Sequence, residues 1–477
     1  MANPRQPPEA APAGGPPAGG AGSGGGVRGR HLFGTDGVRG RVGTDPMTVE
    51  GVLRLGWAAG RVLAAHGGAR HGVVIGKDTR NSGYLFESAL EAGLSAAGVS
   101  VFLLGPFSTP GVSFATTRLG AAAGIVISAS HNPYTDNGIK FFGPDGKKLP
   151  DAVEEAIEDQ LTAPFVQVPI AELGQVRRLE RIREDYLDFC CASLPAGMSL
   201  QGLTLVVDCA HGATYRLAPA LFERLGARVI ALGVHPDGLN INAGVGSLHP
   251  EVLAETVLRE GAECGIALDG DGDRVIFVDR RGAVIDGDGL LYVLALDRLE
   301  ERRLAGPVVG TLMSNLGLEE SLARQGIRFC RSAVGDRHVL ACMEREGGVL
   351  GGESSGHLIH LDLAPAGDGL LSALQVLRAM WRQGRGLDEL CRSLHRYPQK
   401  MVNVPWPRGT PVPAESILGP DFERARGFIG EPARILIRPS GTEPVVRILV
   451  EGGEGPGLES ALDHLVGRLC DLRDQVS

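Results

Sequence analysis

Short apolar runs rich in β-branched residues alternate with helical stretches along most of the chain, the pattern of parallel sheets built from βαβ units. The alternation repeats in three blocks. "HGVVIGKDTR", "LTLVVDCAHGAT" and "GPVVGTLMSNLGL" each place a Val-rich strand before a polar loop that opens a helix. Each helix ends near a glycine and leads to a second strand and loop, in "AAGVSVFLLGPFSTP", "RLGARVIALGVHPDG" and "RQGIRFCRSAVGDR". A third strand follows with an unusual loop, in "AGIVISASHNP", "CGIALDGDGDR" and "GGVLGGESSGH". The matching order predicts three α/β domains of one design. Each delivers a special loop at the C-terminal end of a strand, where such sheets place ligands.

After "LDELCRSLHRYPQKMVNVP" the pattern changes. "ARILIRPSGTEPVVRILVEG" reads as two strands around a glycine-containing turn and "GLESALDHLVGRLCDL" as an amphipathic helix, which predicts a smaller α+β domain. The expected division is a tail at 1–28 and domains at 29–189, 190–289, 290–395 and 396–477.

Composition adds limits to this picture. A chain of 477 residues is too long for one core. Part of its glycine and proline sits in "MANPRQPPEAAPAGGPPAGGAGSGGG", which offers almost no side chain to bury and is expected to be disordered, without the apolar core of a secretory signal. No apolar run approaches the roughly 20 residues that span a bilayer, which predicts a soluble protein. The formal charge of -9 argues against nucleic-acid binding through a broad basic face. Eight cysteines without a CxxC pair read as buried free thiols of a reducing cytoplasm.

The loops carry the chemistry. In "LDGDGDR" the carboxylates of Asp269, Asp271 and Asp273 repel one another unless a cation neutralises them, and the intervening glycines let a tight loop aim all three at one point. Such an oxygen-only set suits a hard ion such as Mg²⁺. An EF-hand does not fit, because counting from Asp269 places Arg274 at position six and Arg280 at position twelve. A solvated acidic turn is the plainer alternative. "IRPSGTEPVVRI" offers Arg438, Ser440, Gly441, Thr442 and Arg447, guanidinium forks, hydroxyls and amides of the kind that bind a phosphate dianion. It also fits a turn held by an Arg438–Glu443 ion pair. "GGESSGH" supplies Glu353, Ser355 and His357, which suit sugar hydroxyls or serve a simple turn. In "SASHNP" a serine hydroxyl is a poor nucleophile unless activated or already carrying a transferable group. If Ser130 carries a phosphoryl group, the four loops become one device.

At these residues the sequence resembles the α-D-phosphohexomutase superfamily. The resemblance runs from about Arg30 to the C-terminal end and rests on five stretches in the family's order: "FGTDGVRG", "SASHNPYTDNGIKFF", "DGDGDR", "GGESSGH" and "RPSGTEPVVR". It implies three similar α/β domains with mixed sheets plus a smaller C-terminal α+β domain, around a central active-site cleft. It makes Ser130 the phosphoserine, with Asp269, Asp271, Asp273 and a phosphoserine oxygen holding Mg²⁺. Glu353, Ser355 and His357 are then sugar-binding, and Arg438, Ser440, Gly441, Thr442 and Arg447 grip the non-reacting phosphate. Arg39, His131, Lys140, Arg274 and His357 line the reacting end, with Lys140 the general acid/base, a role that needs a depressed pKa.

"FGTDGVRG" and the paired glycines before Glu353 resemble the glucosamine branch, although Ser354 stands where that branch usually has glutamine. The implied reaction interconverts glucosamine 6-phosphate and glucosamine 1-phosphate through glucosamine 1,6-bisphosphate, for UDP-N-acetylglucosamine and cell-wall precursor synthesis. Sugar phosphates are the expected partners of a cytoplasmic monomer or homodimer, with no nucleic acid or membrane involved. A sibling mutase for glucose or mannose phosphates, and a non-catalytic sugar-phosphate binder, are the alternatives.

Overall fold

The computed structural model describes residues 32–34, 36–65, 71–407, 410, 415–439 and 444–476. The Ala/Pro/Gly-rich stretch at 1–28 lies outside the described residues. The first sheet contains β1 (Val38–Arg41), β2 (Val73–Lys77), β3 (Val101–Pro106), β4 (Ala123–Ile127), β5 (Asp136–Phe142) and β6 (Val176–Arg178), in the order β1-β5-β4-β2-β3-β6. The second contains β7 (Thr204–Asp208), β8 (Arg228–Leu232), β9 (Cys264–Leu268), β10 (Val275–Asp279) and β11 (Val284–Ile285), in the order β11-β10-β9-β7-β8. The third contains β12 (Val308–Thr311), β13 (Phe329–Ser332), β14 (Leu350–Gly352) and β15 (Leu358–His360), in the order β13-β12-β14-β15.

One arrangement underlies all three. The first strand of each block pairs in parallel with the second on one side and the third on the other. The third then turns back into an antiparallel partner: β4 with β5, β9 with β10, β14 with β15. The repeat therefore has four strands where the sequence pattern shows three. Both β9 and β10 are buried throughout, so neither carries the alternation that marks a half-solvated antiparallel strand. Each special loop is the tip of that mixed hairpin.

The C-terminal sheet is antiparallel, β16 (Gln399–Pro405), β17 (Ala433–Pro439) and β18 (Val445–Gly452) in the order β16-β18-β17. It is backed by helices Glu415–Ile429 and Gly457–Val476. Its core of Val404, Trp406, Ile448, Val450, Leu458 and Leu465 is separate. The first three domains instead share one apolar cluster, in which Val74, Phe107 and Val126 join Leu205, Ile266 and Phe277 and then Val308, Leu350 and Leu374. No helix among the described residues is long and apolar enough to cross a membrane. All eight cysteines are free; Cys190, Cys209, Cys264 and Cys342 are buried, whereas Cys191, Cys330, Cys391 and Cys470 are only partly so.

Candidate active site

The tips of the three mixed hairpins meet. Ser130, in the β4–β5 loop, has a φ of 53° and a buried side chain. Its Oγ donates to Asp269 Oδ2 of the β9–β10 loop at 2.6 Å and lies 3.3 Å from His131 Nδ1. The backbone behind it is closed by Ser128, whose Oγ accepts from Ser130 N at 2.9 Å and donates to Asp78 at 2.6 Å. Asp78 in turn holds the fully buried Arg80 through Nε at 2.7 Å. The Arg80 Nη atoms donate to the carbonyls of Ser130 (3.0 Å), Asn132 (2.8 Å), Asp136 (3.1 Å) and Pro133. Asn242 Nδ2, from the second domain, also reaches the Ser130 and Asn132 carbonyls, at 2.9 and 3.1 Å. The β9–β10 and β14–β15 loops are joined by a backbone bridge between Arg274 and His357.

Asp269, Asp271 and Asp273 are all buried, with one carboxylate oxygen from each within 4.8 Å of the others. Asp269 Oδ1 accepts from the backbone N–H groups of Gly272 and Arg274, and Asp271 Oδ2 from Thr109 Oγ1 at 2.6 Å. Asp271 Oδ1 and Asp273 Oδ1 are buried without a hydrogen-bond partner. Burial and the neighbouring Asp273 and Asp271 push the Asp269 carboxyl well above the usual carboxylate range. Burial pushes Asp273 the same way, but Lys140, His357 and Arg274 outweigh it and hold Asp273 well below that range. Converging oxygens, two left over, with no nitrogen or sulfur among them, fit a hard divalent cation. A solvated acidic turn does not describe this site.

A ring of charge surrounds the triad. The buried Lys140 ammonium lies 2.8 Å from Asp271, 3.2 Å from Asp36 and 3.4 Å from Asp273. Burial alone would lower its pKa, yet these carboxylates raise it above the ordinary lysine value. These carboxylates favour the ammonium form, whereas an acid/base role needs a depressed pKa. Burial and the cations Arg274 and Arg39 instead lower His131 to about 4, leaving a neutral imidazole beside Ser130. Burial would likewise depress His357, but its contact with Asp273, 3.6 Å from Nδ1, raises it to about 9. Arg39 pairs with Asp36, which also holds Lys148 at 2.5 Å, and Lys148 reaches Asp336 of the third domain at 2.7 Å. Behind this seam, a cavity of about 330 Å³ is lined in part by Asp36, Lys140, Lys148, Asp273, Asp336 and His357.

The β14–β15 loop carries Glu353 and Ser355, both half-buried, and the bridge between Arg274 and His357 joins it to the aspartate loop. Glu353 Oε1 accepts from Gly335 N at 3.0 Å, and its charge also acts on Arg274 and on Arg438 of the fourth domain. Arg438 and Arg447 stand opposite each other on β17 and β18. Arg438 Nε is buried with no hydrogen-bond partner, and burial together with Arg447 lowers its pKa. Like charges placed opposite on a strand pair destabilise it unless an anion comes between. Ser440, Gly441, Thr442 and Glu443 lie outside the described residues, and with them the Arg438–Glu443 alternative.

Family models agree with this geometry domain by domain. The α/β/α domain I of phosphoglucomutase/phosphomannomutase matches residues 30–165, domain II residues 184–282, domain III residues 286–397 and the C-terminal domain residues 401–465. The chain belongs to the phosphoglucomutase/phosphomannomutase family. Within this family, a phosphoglucosamine mutase of Alkalilimnicola ehrlichii is 55% identical over 92% of the chain and 97% of that relative. Among solved structures, a phosphoglucomutase/phosphomannomutase family protein of Burkholderia thailandensis superposes with a TM-score of 0.77 at 24% identity, over 93% of this chain and 98% of that one. An N-acetylphosphoglucosamine mutase of Aspergillus fumigatus, solved with GlcNAc-6P and magnesium, gives a TM-score of 0.63 at 16% identity, over 93% and 95% of the two chains.

The phosphohexomutase site is wider than the loops that announce it. Asp36 sits inside "FGTDGVRG" and anchors Arg39, Lys140 and Lys148, yet nothing in its spacing marks it. Asp78 and Arg80 belong to "GKDTR", and Asn242 to "NINAGVGS", stretches that look like ordinary polar connections. The available signal was position: "KDTR" closes a central parallel strand at the end where such sheets build sites.

Proposed function

We propose that this chain is a phosphohexosamine mutase, interconverting glucosamine 6-phosphate and glucosamine 1-phosphate by way of a phosphoryl group carried on Ser130. The observation that supports it best is Ser130 Oγ, held on a left-handed backbone 2.6 Å from an aspartate triad with two unpartnered oxygens. The identity to relatives named phosphoglucosamine mutase points to the amino sugar. In the forward half-reaction the Ser130 Oγ–P bond breaks, a P–O1 bond forms on the sugar and the O1 proton passes to Ser130 Oγ, giving glucosamine 1,6-bisphosphate. The intermediate turns over, its O6–P bond breaks as an Oγ–P bond re-forms on Ser130, and the Ser130 hydroxyl proton passes to O6.

Asp269, Asp271 and Asp273, with a phosphoserine oxygen, would hold magnesium, whose charge would offset that of the transferring phosphoryl group. Lys140, Arg39 and Arg274 add fixed cations around the same phosphoryl oxygens. His131, neutral and 3.3 Å from Ser130 Oγ, is placed to exchange the proton of that hydroxyl. Glu353, Ser355 and His357 orient the sugar. Arg438, Ser440, Gly441, Thr442 and Arg447 hold whichever phosphate is not reacting, which is why one distant anion site serves both half-reactions. The chain divides in this reading at 189/190, 289/290 and 395/396, and it works in the cytoplasm, in keeping with eight free cysteines. Intact mass after treatment with glucose 1,6-bisphosphate tests the mechanism: a phosphoryl-sized addition is expected, absent in Ser130→Ala. Relative kcat/KM on glucosamine 6-phosphate and glucose 6-phosphate tests the substrate, and preference for glucose would overturn the amino-sugar reading.

A further inference from the structure

The five N–H donors of Arg80 are all used: three go to carbonyls of the Ser130 loop and a fourth to that of Asp136, where β5 begins. Nε donates to Asp78, Nη1 to the Pro133 and Asp136 carbonyls, and Nη2 to those of Ser130 and Asn132. A guanidinium with no solvent exposure is costly unless every donor is satisfied in good geometry. Helix and strand ladders do not reach the Ser130 and Asn132 carbonyls, because the loop follows neither from Ser128 to Thr135. Arg80 is thus the template on which the Ser130 loop is folded.

The second domain grips the same template. Asn242 Nδ2 donates to the two carbonyls that Arg80 Nη2 also holds, at 2.9 and 3.1 Å. Asn242 itself has a φ of 58°, and its N–H is fixed to the Ala210 carbonyl at 2.9 Å. A Cβ built on Gly270, between the first two triad aspartates, would come within 2.8 Å of Asn242 Nδ2 and 2.5 Å of the Ser130 carbonyl oxygen. The neighbours of Arg80 close the same seam: Thr79 Oγ1 donates to the His211 carbonyl at 2.5 Å, and Asn81 N to that of Gly238 at 3.1 Å.

We infer that Arg80 and Asn242 are positioning residues that jointly fix the left-handed geometry of Ser130 and the reach of its hydroxyl to the aspartate triad of the other domain. Neither touches the substrate. The inference rests on the reading of Ser130 as the phosphoryl carrier. Because sugar and distal phosphate are held by the third and fourth domains, losing this register lowers kcat and leaves KM unchanged.

The test uses the full chain with Asn242→Ala, Asn242→Asp and Arg80→Lys. Asn242→Asp keeps the shape and removes the amide donor, so a role through shape alone leaves it like wild type, whereas positioning by hydrogen bonds makes it at least as slow as Asn242→Ala. We expect kcat to fall about tenfold or more in both Asn242 variants, with KM within about twofold and Tm within a few degrees of wild type. Arg80→Lys, with three donors in place of five, falls further. Should it not fold, the half-exposed Asn242 pair decides. Unchanged kcat in both Asn242 variants, or a rise in KM alone, overturns the inference while a wild-type phosphoryl addition leaves the Ser130 mechanism standing. A wild type that takes no phosphoryl mass brings down both.

Discussion

Ser130 holds its hydroxyl on a backbone that costs an L-residue roughly 1–2 kcal/mol, so its geometry persists only because its surroundings over-determine it. A threonine there keeps the hydroxyl but adds a β-branch at positive φ, where bulk is least tolerated. Ser130→Thr is therefore expected to reduce kcat about a hundredfold or more, read in single-turnover transfer to glucosamine 6-phosphate. A different residue carries a stability cost. Asp288 accepts from Asn315 N at 2.8 Å, but its Oδ1 is buried and unpartnered, and burial with the nearby Asp286 raises its pKa to about 7. Its folded pKa lies above the unfolded value of about 3.9, so the folded state binds the extra proton and stability falls as pH rises between the two. Asp288→Asn is expected to raise the Tm at pH 8, with the gain shrinking as pH is lowered from 7 towards 4. A gain that grows on acidification would refute the assignment.

At the scale of elements, the hairpin tips tolerate almost no added volume. Gly356 has a φ of 90°, and a Cβ there would meet the Val275 carbonyl oxygen at 2.2 Å, on the strand that leaves the aspartate loop. Gly356→Ala is expected to displace Glu353 and Ser355 and raise KM for the sugar phosphate about tenfold, with circular dichroism unchanged. The tips were legible in the sequence because each places polar residues directly after a buried apolar run, as Asp269 follows Leu268 and Ser128 follows Ile127. The strands that return from them were not, since β10 is as uniformly apolar as β9 and periodicity cannot tell a buried antiparallel strand from a parallel one. Arg80 and Asn242 escaped for another reason. Their partners are backbone carbonyls some 50 and 110 residues away, and no local pattern encodes a carbonyl's need for a donor.

The whole molecule consists of two mechanical parts. Three domains are fused by a continuous core and by ion pairs such as Arg337 with Glu154 and Lys148 with Asp336, whereas the fourth has its own core. The fourth domain is pinned to the third by Arg434, which donates to the Ser314 carbonyl at 2.8 Å and to that of Leu312, and by Glu451, which accepts from Leu316 N at 2.8 Å and pairs with Arg434. Arg434→Gln is expected to widen the distribution of sizes in solution scattering of the free protein and to raise KM about tenfold through Arg438, which is proposed to grip the distal phosphate, with a smaller change in kcat. The repeated hairpin has an evolutionary consequence. Ser130, the aspartates Asp269, Asp271 and Asp273, and Glu353 with Ser355 all occupy the same address in three copies of one strand arrangement, at a tip whose flanking strands are fixed by their own pairing. Each copy could thus acquire its own task by altering about half a dozen residues, and the pair of strands beneath it would transmit none of that divergence to the sheet.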